Sequence, residues 1–122
     1  MKKILVVDDD QFIRELYEDV LTQAGYEVVA AQDGEEGLAQ ILNGGFDLIL
    51  LDIMLPKLDG IGVLSKLAAK TPKTKNGPVL VLTNLTADPM VAETVKLGAR
   101  GYLLKAEFTP DKLLAAVKEY LG

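Results

Sequence analysis

The chain has 122 residues, of which 49% are hydrophobic and 25% charged, with a formal net charge of −5. These are the proportions of one globular domain large enough to hold its own core. Without cysteine or histidine, it excludes zinc fingers, iron–sulfur centres, thiol redox chemistry, Ser-His-Asp triads and histidine acid–base steps. The acidic balance argues against a nucleic-acid or anionic-membrane surface, which needs basic patches, and favours protein or cation partners.

In chain order, short apolar runs alternate with segments of helical period, the pattern of an α/β domain with a parallel sheet. The first run, Ile4 to Val7, follows Met1-Lys2-Lys3 and imitates the start of a signal peptide, but Asp8-Asp9-Asp10 ends it. No apolar run approaches the ~20 residues that span a bilayer, so the cytoplasm is the expected location. Phe12, Ile13, Leu16, Tyr17, Val20 and Leu21 then repeat at helical spacing and predict a core-facing stripe. Gly25 stops that helix, and Glu27 to Ala31 forms the second strand. Asp33-Gly34-Glu35-Glu36 reads as a capping box opening a second helix, which stops at Gly44. Leu48 to Leu51 is the third strand, and Ile61, Leu64, Leu67 and Ala68 mark the third helix. Thr71 to Pro78 is a longer loop before the fourth strand, Val79 to Leu82. Asp88-Pro89 and Thr109-Pro110 each place a cap residue before a proline at the first helical position, and Gly98 stops the fourth helix. Tyr102 to Leu104 is the fifth strand. Leu113, Leu114, Val117, Tyr120 and Leu121 give the last helix its apolar stripe.

In open α/β sheets the ligand site lies beyond the carboxyl ends of the strands, where strand order reverses. Asp8 and Asp9 follow strand 1, Asp52 strand 3, Thr83 strand 4 and Lys105 strand 5. Strand 2 alone lacks such a group, ending near Gln32, which suits the order 2-1-3-4-5 with strand 2 at an edge. Converging carboxylates repel by about 4 kcal/mol per pair at 4 Å and an effective dielectric near 20. Lys105 and a hard divalent cation would offset that repulsion, and Mg²⁺ fits because it uses few carboxylates and keeps waters for a phosphate to replace. The arrangement describes phosphoryl transfer: Asp52 as nucleophile, Mg²⁺ and Lys105 neutralising phosphoryl oxygens, and the Thr83 hydroxyl donating to another. Asp10 reads instead as the cap of the first helix. Asp8 by itself is equally a turn residue after a strand, and periodicity makes Tyr102 a strand-packing aromatic. Neither a Walker phosphate loop, a dinucleotide fingerprint nor a Gly-x-Ser-x-Gly elbow occurs.

These residues resemble the receiver domain of two-component response regulators, a flavodoxin-like doubly wound five-stranded parallel sheet with five helices. The resemblance runs from Ile4-Leu5-Val6-Val7-Asp8-Asp9 through Leu50-Leu51-Asp52-Ile53-Met54-Leu55-Pro56 with Asp59-Gly60, then Val81-Leu82-Thr83, to Gly101-Tyr102-Leu103-Leu104-Lys105. It implies one receiver domain over residues 1–122. Asp52 would take a phosphoryl group from a histidine of a sensor kinase or histidine phosphotransfer protein. Asp9 would be a direct Mg²⁺ ligand, Asp8 one acting through water, and the Met54 carbonyl and Asp52 further ligands. Thr83 and Tyr102 would form the switch pair, with the fourth helix, fifth strand and fifth helix presenting the state to an output protein or domain. A phosphorylation-dependent homodimer is a further expected partner. The chain would be a signalling phosphoprotein, catalysing only its own phosphorylation and dephosphorylation.

Two positions depart from the family pattern. Lys105 is followed by Ala106 where proline is usual, and a non-proline cis peptide costs about 2.5 to 4 kcal/mol. Thr83 is followed by Asn84 where a small residue is usual, which narrows access to Asp52. The resemblance puts Met54 and Leu85 beside the approach of hydrolytic water, where apolar side chains favour a long-lived phosphoryl group. Two rivals remain. Asp8-x-Asp10 imitates the nucleophile motif of haloacid-dehalogenase-like phosphohydrolases, although that reading leaves Asp52 idle. An interaction module with a vestigial site is the other, and the intact acidic set speaks against it.

Overall fold

The computed structural model describes residues 1–84, 89–107 and 109–121. Its strands are β1 (Lys3–Val7), β2 (Glu27–Ala31), β3 (Leu48–Asp52), β4 (Val79–Thr83) and β5 (Gly101–Leu104). The helices are α1 (Gln11–Gln23), α2 (Gly34–Asn43), α3 (Gly60–Ala69), α4 (Pro89–Lys96) and α5 (Pro110–Leu121), with a 3-10 turn at Lys105–Glu107. All pairings are parallel, in the order β2-β1-β3-β4-β5. The expected architecture and strand order are therefore present. Lys3 and Gly101 begin β1 and β5, and Asp52 and Thr83 end β3 and β4, each one residue beyond the apolar run.

Alternation along the strands divides the core between two layers, because successive side chains point to opposite faces. Leu5, Val7, Ile49, Leu51 and Val81 face one way, packed with Ile41, Val63, Leu64 and Val91 of α2, α3 and α4. Ile4, Val6, Leu48, Leu50, Leu80 and Leu82 face the other, against Tyr17 and Leu21 of α1 and Leu113 and Val117 of α5. With a helix layer on each face, all five residues of the central β3 are buried.

Side-chain caps start α1, α2 and α5 where the sequence places them, and α3 is started by Asp59, which the sequence reading did not single out as a cap. Asp10 accepts from the Ile13 amide at 3.2 Å, Asp33 from Glu36 at 2.8 Å, and Asp59 from Gly62 at 2.7 Å. Thr109 accepts from Lys112 at 3.3 Å. Asp88 lies outside the described residues. The chain leaves α1 at Gly25 (φ 97°) and α4 at Gly98 (φ 110°), a left-handed conformation that costs glycine little. Gly44 follows α2 as expected. The Thr71 to Pro78 loop is held by Asn76, which accepts from the Phe46 amide at 3.1 Å and donates to the Ile41 carbonyl at 2.9 Å.

Three aromatic assignments need correction. Phe12 is 72% exposed; it lies about 100° round the helix from Ile13, on the flank of the stripe in the first turn. Tyr120 is 37% exposed: it crosses β5 at Gly101, where a Cβ would come within 3.2 Å of its hydroxyl. Tyr102 is 45% exposed on the edge strand and not packed within the core. No cis peptide occurs among the described residues. Nor is any described helix long and apolar enough to cross a membrane.

Candidate functional site

The reversal of strand order between β1 and β3 brings the ends of those strands together, and β4 and β5 complete one rim. Asp52 closes β3, with 5% of its surface exposed, while Asp8 directly follows β1 and is wholly buried. Asp9, one residue on, points to solvent. One carboxylate oxygen from each of the three lies within 4.8 Å of the others. Thr83 is buried at the end of β4. An open cleft of about 530 Å³ is lined by Asp9, Asp10, Asp52, Met54, Thr83, Asn84 and Lys105. Every described residue assigned to the site from sequence thus falls in or beside this cleft, except that Tyr102 stands on the outer surface of β5. Asn84 lines the cleft, whereas Leu85 lies outside the described residues.

Lys105 is the electrostatic centre of the cluster. Its Nζ lies 2.6 Å from Asp8 Oδ2 and donates to Asp52 Oδ2 at 2.7 Å. The other Asp52 oxygen accepts from the Met54 amide at 3.1 Å, and Asp8 Oδ1 accepts from the Asp10 amide at 2.9 Å. Asp8 Oδ2 has the Lys105 charge beside it but accepts no aligned hydrogen bond, which leaves a buried acceptor with unused capacity.

Burial pushes the Asp52 carboxyl above the ordinary aspartate range; Lys105 and the Met54 amide pull it down, Asp8 pushes it further up, and the net shift is upward. For Lys105, burial favours the neutral amine, but the two carboxylates outweigh it and hold the ammonium above its usual range. Burial likewise raises Tyr17, whose phenol feels Lys105, Asp8 and Asp52 from beneath the site.

One ammonium cannot balance three carboxylates. A hard divalent cation fits what remains: oxygen donors only, one of them exposed, and a buried oxygen lacking an aligned donor. Asp10 is spent on capping α1 and stands outside that group.

Sequence reading missed Arg14, whose Nη1 donates to the Asp8 carbonyl at 2.9 Å and so braces the turn that carries the acids. A cation one helical turn beyond an acidic cap was the available signal. It also missed the ion pair between Lys57 and Asp33, at 3.6 Å.

A family model described as response regulator receiver domain matches residues 4–118. The probable transcriptional regulator ycf27 of Cyanophora paradoxa is 43% identical over 122 residues, covering 98% of this chain and 48% of the relative. The alkaline phosphatase synthesis transcriptional regulatory protein PhoP of Bacillus subtilis (strain 168) is 42% identical over 120 residues, with the same coverage of 98% and 48%. The chain spans about half the length of these curated relatives. A receiver domain protein (CheY-like) from Methanospirillum hungatei JF-1 superposes with a TM-score of 0.87 at 35% identity, covering 99% of this chain and 94% of the other. The chemotaxis response regulator CheY4 of Vibrio cholerae does so with a TM-score of 0.87 at 35% identity, covering 98% of each chain.

Proposed function

Because the chain belongs to the response regulator receiver domain family, we propose that Asp52 is the acceptor of a phosphoryl group delivered by a histidine of a sensor kinase or phosphotransfer protein. The observation that carries this reading is Asp52 itself: a shielded carboxylate at the floor of an open cleft, bonded to Lys105 at 2.7 Å and clustered with Asp8 and Asp9. An oxygen of Asp52 attacks phosphorus, the P–N bond to the partner imidazole breaks, and the imidazole nitrogen keeps the electron pair and takes up a proton. The product is an acyl phosphate, discharged when water attacks phosphorus and the P–O bond to Asp52 breaks.

Such transfers depend mainly on positioning and on charge placed around the phosphoryl oxygens. Lys105 supplies fixed positive charge and the Thr83 hydroxyl a hydrogen bond. Asp8, Asp9, Asp52 and the Met54 carbonyl would hold Mg²⁺, which when bound supplies Lewis-acid neutralisation of the phosphoryl charge. The chain is a signalling domain whose proposed catalysis is confined to its own loading and discharge.

For output, Thr83 is drawn toward the phosphoryl group and the Tyr102 ring moves inward behind it. Val95 of α4, Tyr102 of β5 and Tyr120 of α5 are exposed apolar residues, one from each element, and this supports the α4-β5-α5 face as the surface read by an output protein, an output domain or a second phosphorylated copy. The proposed setting is a single receiver domain over residues 1–122, in the cytoplasm with its kinase.

Incubation with Mg²⁺ and acetyl phosphate, followed by mass spectrometry of the intact chain and its peptides, tests the reading. A single phosphoryl group on Asp52, absent in Asp52→Asn, is the expected result. Turnover through Asp8 would reveal a phosphohydrolase, and no labelling would reveal a vestigial site.

A further inference from the structure

Among the described residues, Lys57 is the one non-glycine residue at positive φ, 67°. An L-residue adopts that conformation at a cost, and such residues persist where the surroundings over-determine them. Lys57 sits in the loop between Asp52 and α3, outside the cleft. Glycine or asparagine would suit the backbone better, so what distinguishes lysine here is the reach of its side chain. Its Nζ lies 3.6 Å from Asp33 Oδ2, whose carboxylate is shielded and whose Oδ1 caps α2 through the Glu36 amide at 2.8 Å.

The loop backbone is pinned at the same place. The Gly34 amide donates to the Pro56 carbonyl at 3.4 Å, and a Cβ on Gly34 would fall 1.5 Å from the Leu58 carbonyl oxygen. The loop closes on itself through Leu58 N–H to the Pro56 carbonyl at 2.7 Å, and on the strand end through Gly60 N–H to the Ile53 carbonyl at 2.8 Å. Met54, in the same loop, donates its amide to Asp52 Oδ1 at 3.1 Å.

We infer that Lys57 and Asp33 form a latch holding the loop after Asp52 against the start of α2, which makes Lys57 a positioning residue for the acceptor carboxylate and its cation. The role rests on the reading of Asp52 as the acceptor. It acts through the loop, since neither latch residue reaches the cleft.

The test uses Lys57→Met, Lys57→Arg, Asp33→Asn, which keeps a capping side chain, and the Met/Asn double variant. Backbone NMR gives amide hydrogen exchange at Met54, Leu58 and Gly60, together with the Mg²⁺ dissociation constant. Lys57→Met and Asp33→Asn should each speed exchange at those amides and weaken Mg²⁺ binding by about threefold, within the range of a partly exposed ion pair. The double variant should be no worse than either single one, and Lys57→Arg should behave as wild type. Wild-type exchange and Mg²⁺ affinity in Lys57→Met, or additive losses in the double variant, would overturn the latch. Acetyl phosphate labelling of the wild type is scored separately: a chain that binds Mg²⁺ yet never labels sinks the acceptor reading and leaves the latch result standing.

Discussion

Lys105 and Asp8 meet where the carboxylate has no access to solvent: Nζ stands 2.6 Å from Oδ2 of a residue with 0% exposure. Since the same ammonium bonds Asp52 at 2.7 Å, its removal strands two buried carboxylates at once. Taking one partner out of a buried ion pair costs about 3 kcal/mol or more. Lys105→Met should therefore lower the metal-free melting temperature by well over 5 °C near neutral pH, using about 4–8 °C per kcal/mol for a small domain. A melting temperature equal to wild type would mean that the pair contributes nothing to the fold.

The pH dependence has a defined sign. Asp52 keeps its proton to higher pH in the folded chain than in the unfolded one, so the folded state binds more protons there and stability falls as pH rises through that interval. The Lys105 ammonium is also raised; its contribution is complete below the unfolded value near 10.5 and is lost as pH climbs through the folded one. In Lys105→Met the pull that lowers Asp52 is gone, and the deficit against wild type should shrink as the solution is acidified toward the carboxylate range. Urea titrations across pH would expose a deficit that stays constant or grows on acidification.

Charge crowding predicts a different response for each acid. Asp52→Asn removes a carboxyl whose ionised form burial disfavours and leaves Lys105 to Asp8, so metal-free stability should rise on the order of 1 kcal/mol, the scale of a typical substitution. Asp9 is exposed, and Asp9→Asn should leave the metal-free protein nearly unchanged. Magnesium at a hundred times its dissociation constant should add about 2.7 kcal/mol to wild type through linkage. Either variant should lose most of that gain, as calorimetry with and without the ion would measure.

The proposed switch couples a buried hydroxyl to an exposed ring. Thr83 is 3% exposed and Tyr102 45%, and their strands are neighbours in register, with Val81 opposite Tyr102 and Thr83 opposite Leu104. A phosphoryl mimic such as beryllofluoride should shift amide resonances across α4, β5 and α5 in wild type. Thr83→Ala should bind the mimic yet shift those resonances far less. Identical shifts in both proteins would separate Thr83 from the output face.

Lys57 allows stability and site geometry to be moved in opposite directions. Lys57→Gly removes a left-handed conformation worth roughly 1 kcal/mol for an L-residue, in exchange for an ion pair of which Lys57 is the exposed member. The melting temperature should hold or rise while Mg²⁺ affinity falls. Tighter Mg²⁺ binding in this variant would contradict a positioning role.

Much of this was legible in the chain itself. Alternation of Ile4, Leu5, Val6 and Val7 and of Leu48 to Leu51 with helical stripes determines one parallel sheet covered by helices on both faces, because each run must bury its apolar side chains locally. Asp8, Asp9, Asp52, Thr83 and Lys105 were readable as a group because any residue following a parallel strand emerges at the same edge. Tertiary structure alone decided the rest. Periodicity shows which face of α1 is apolar but not how much of it the sheet covers, so Phe12 was misplaced. Lys105 and Asp52 are 53 residues apart, and which of thirteen Lys and Arg side chains meets which acid depends on where β5 ends relative to β3. Asp8 and Asp9 are chemically identical neighbours, yet one is buried against the ammonium and the other open to solvent, a division set by the direction of the turn after β1. The latch of Lys57 on Asp33 likewise follows from α2 starting where the β3–α3 loop passes, since burial and charge pairing belong to the assembled edge and to no single segment.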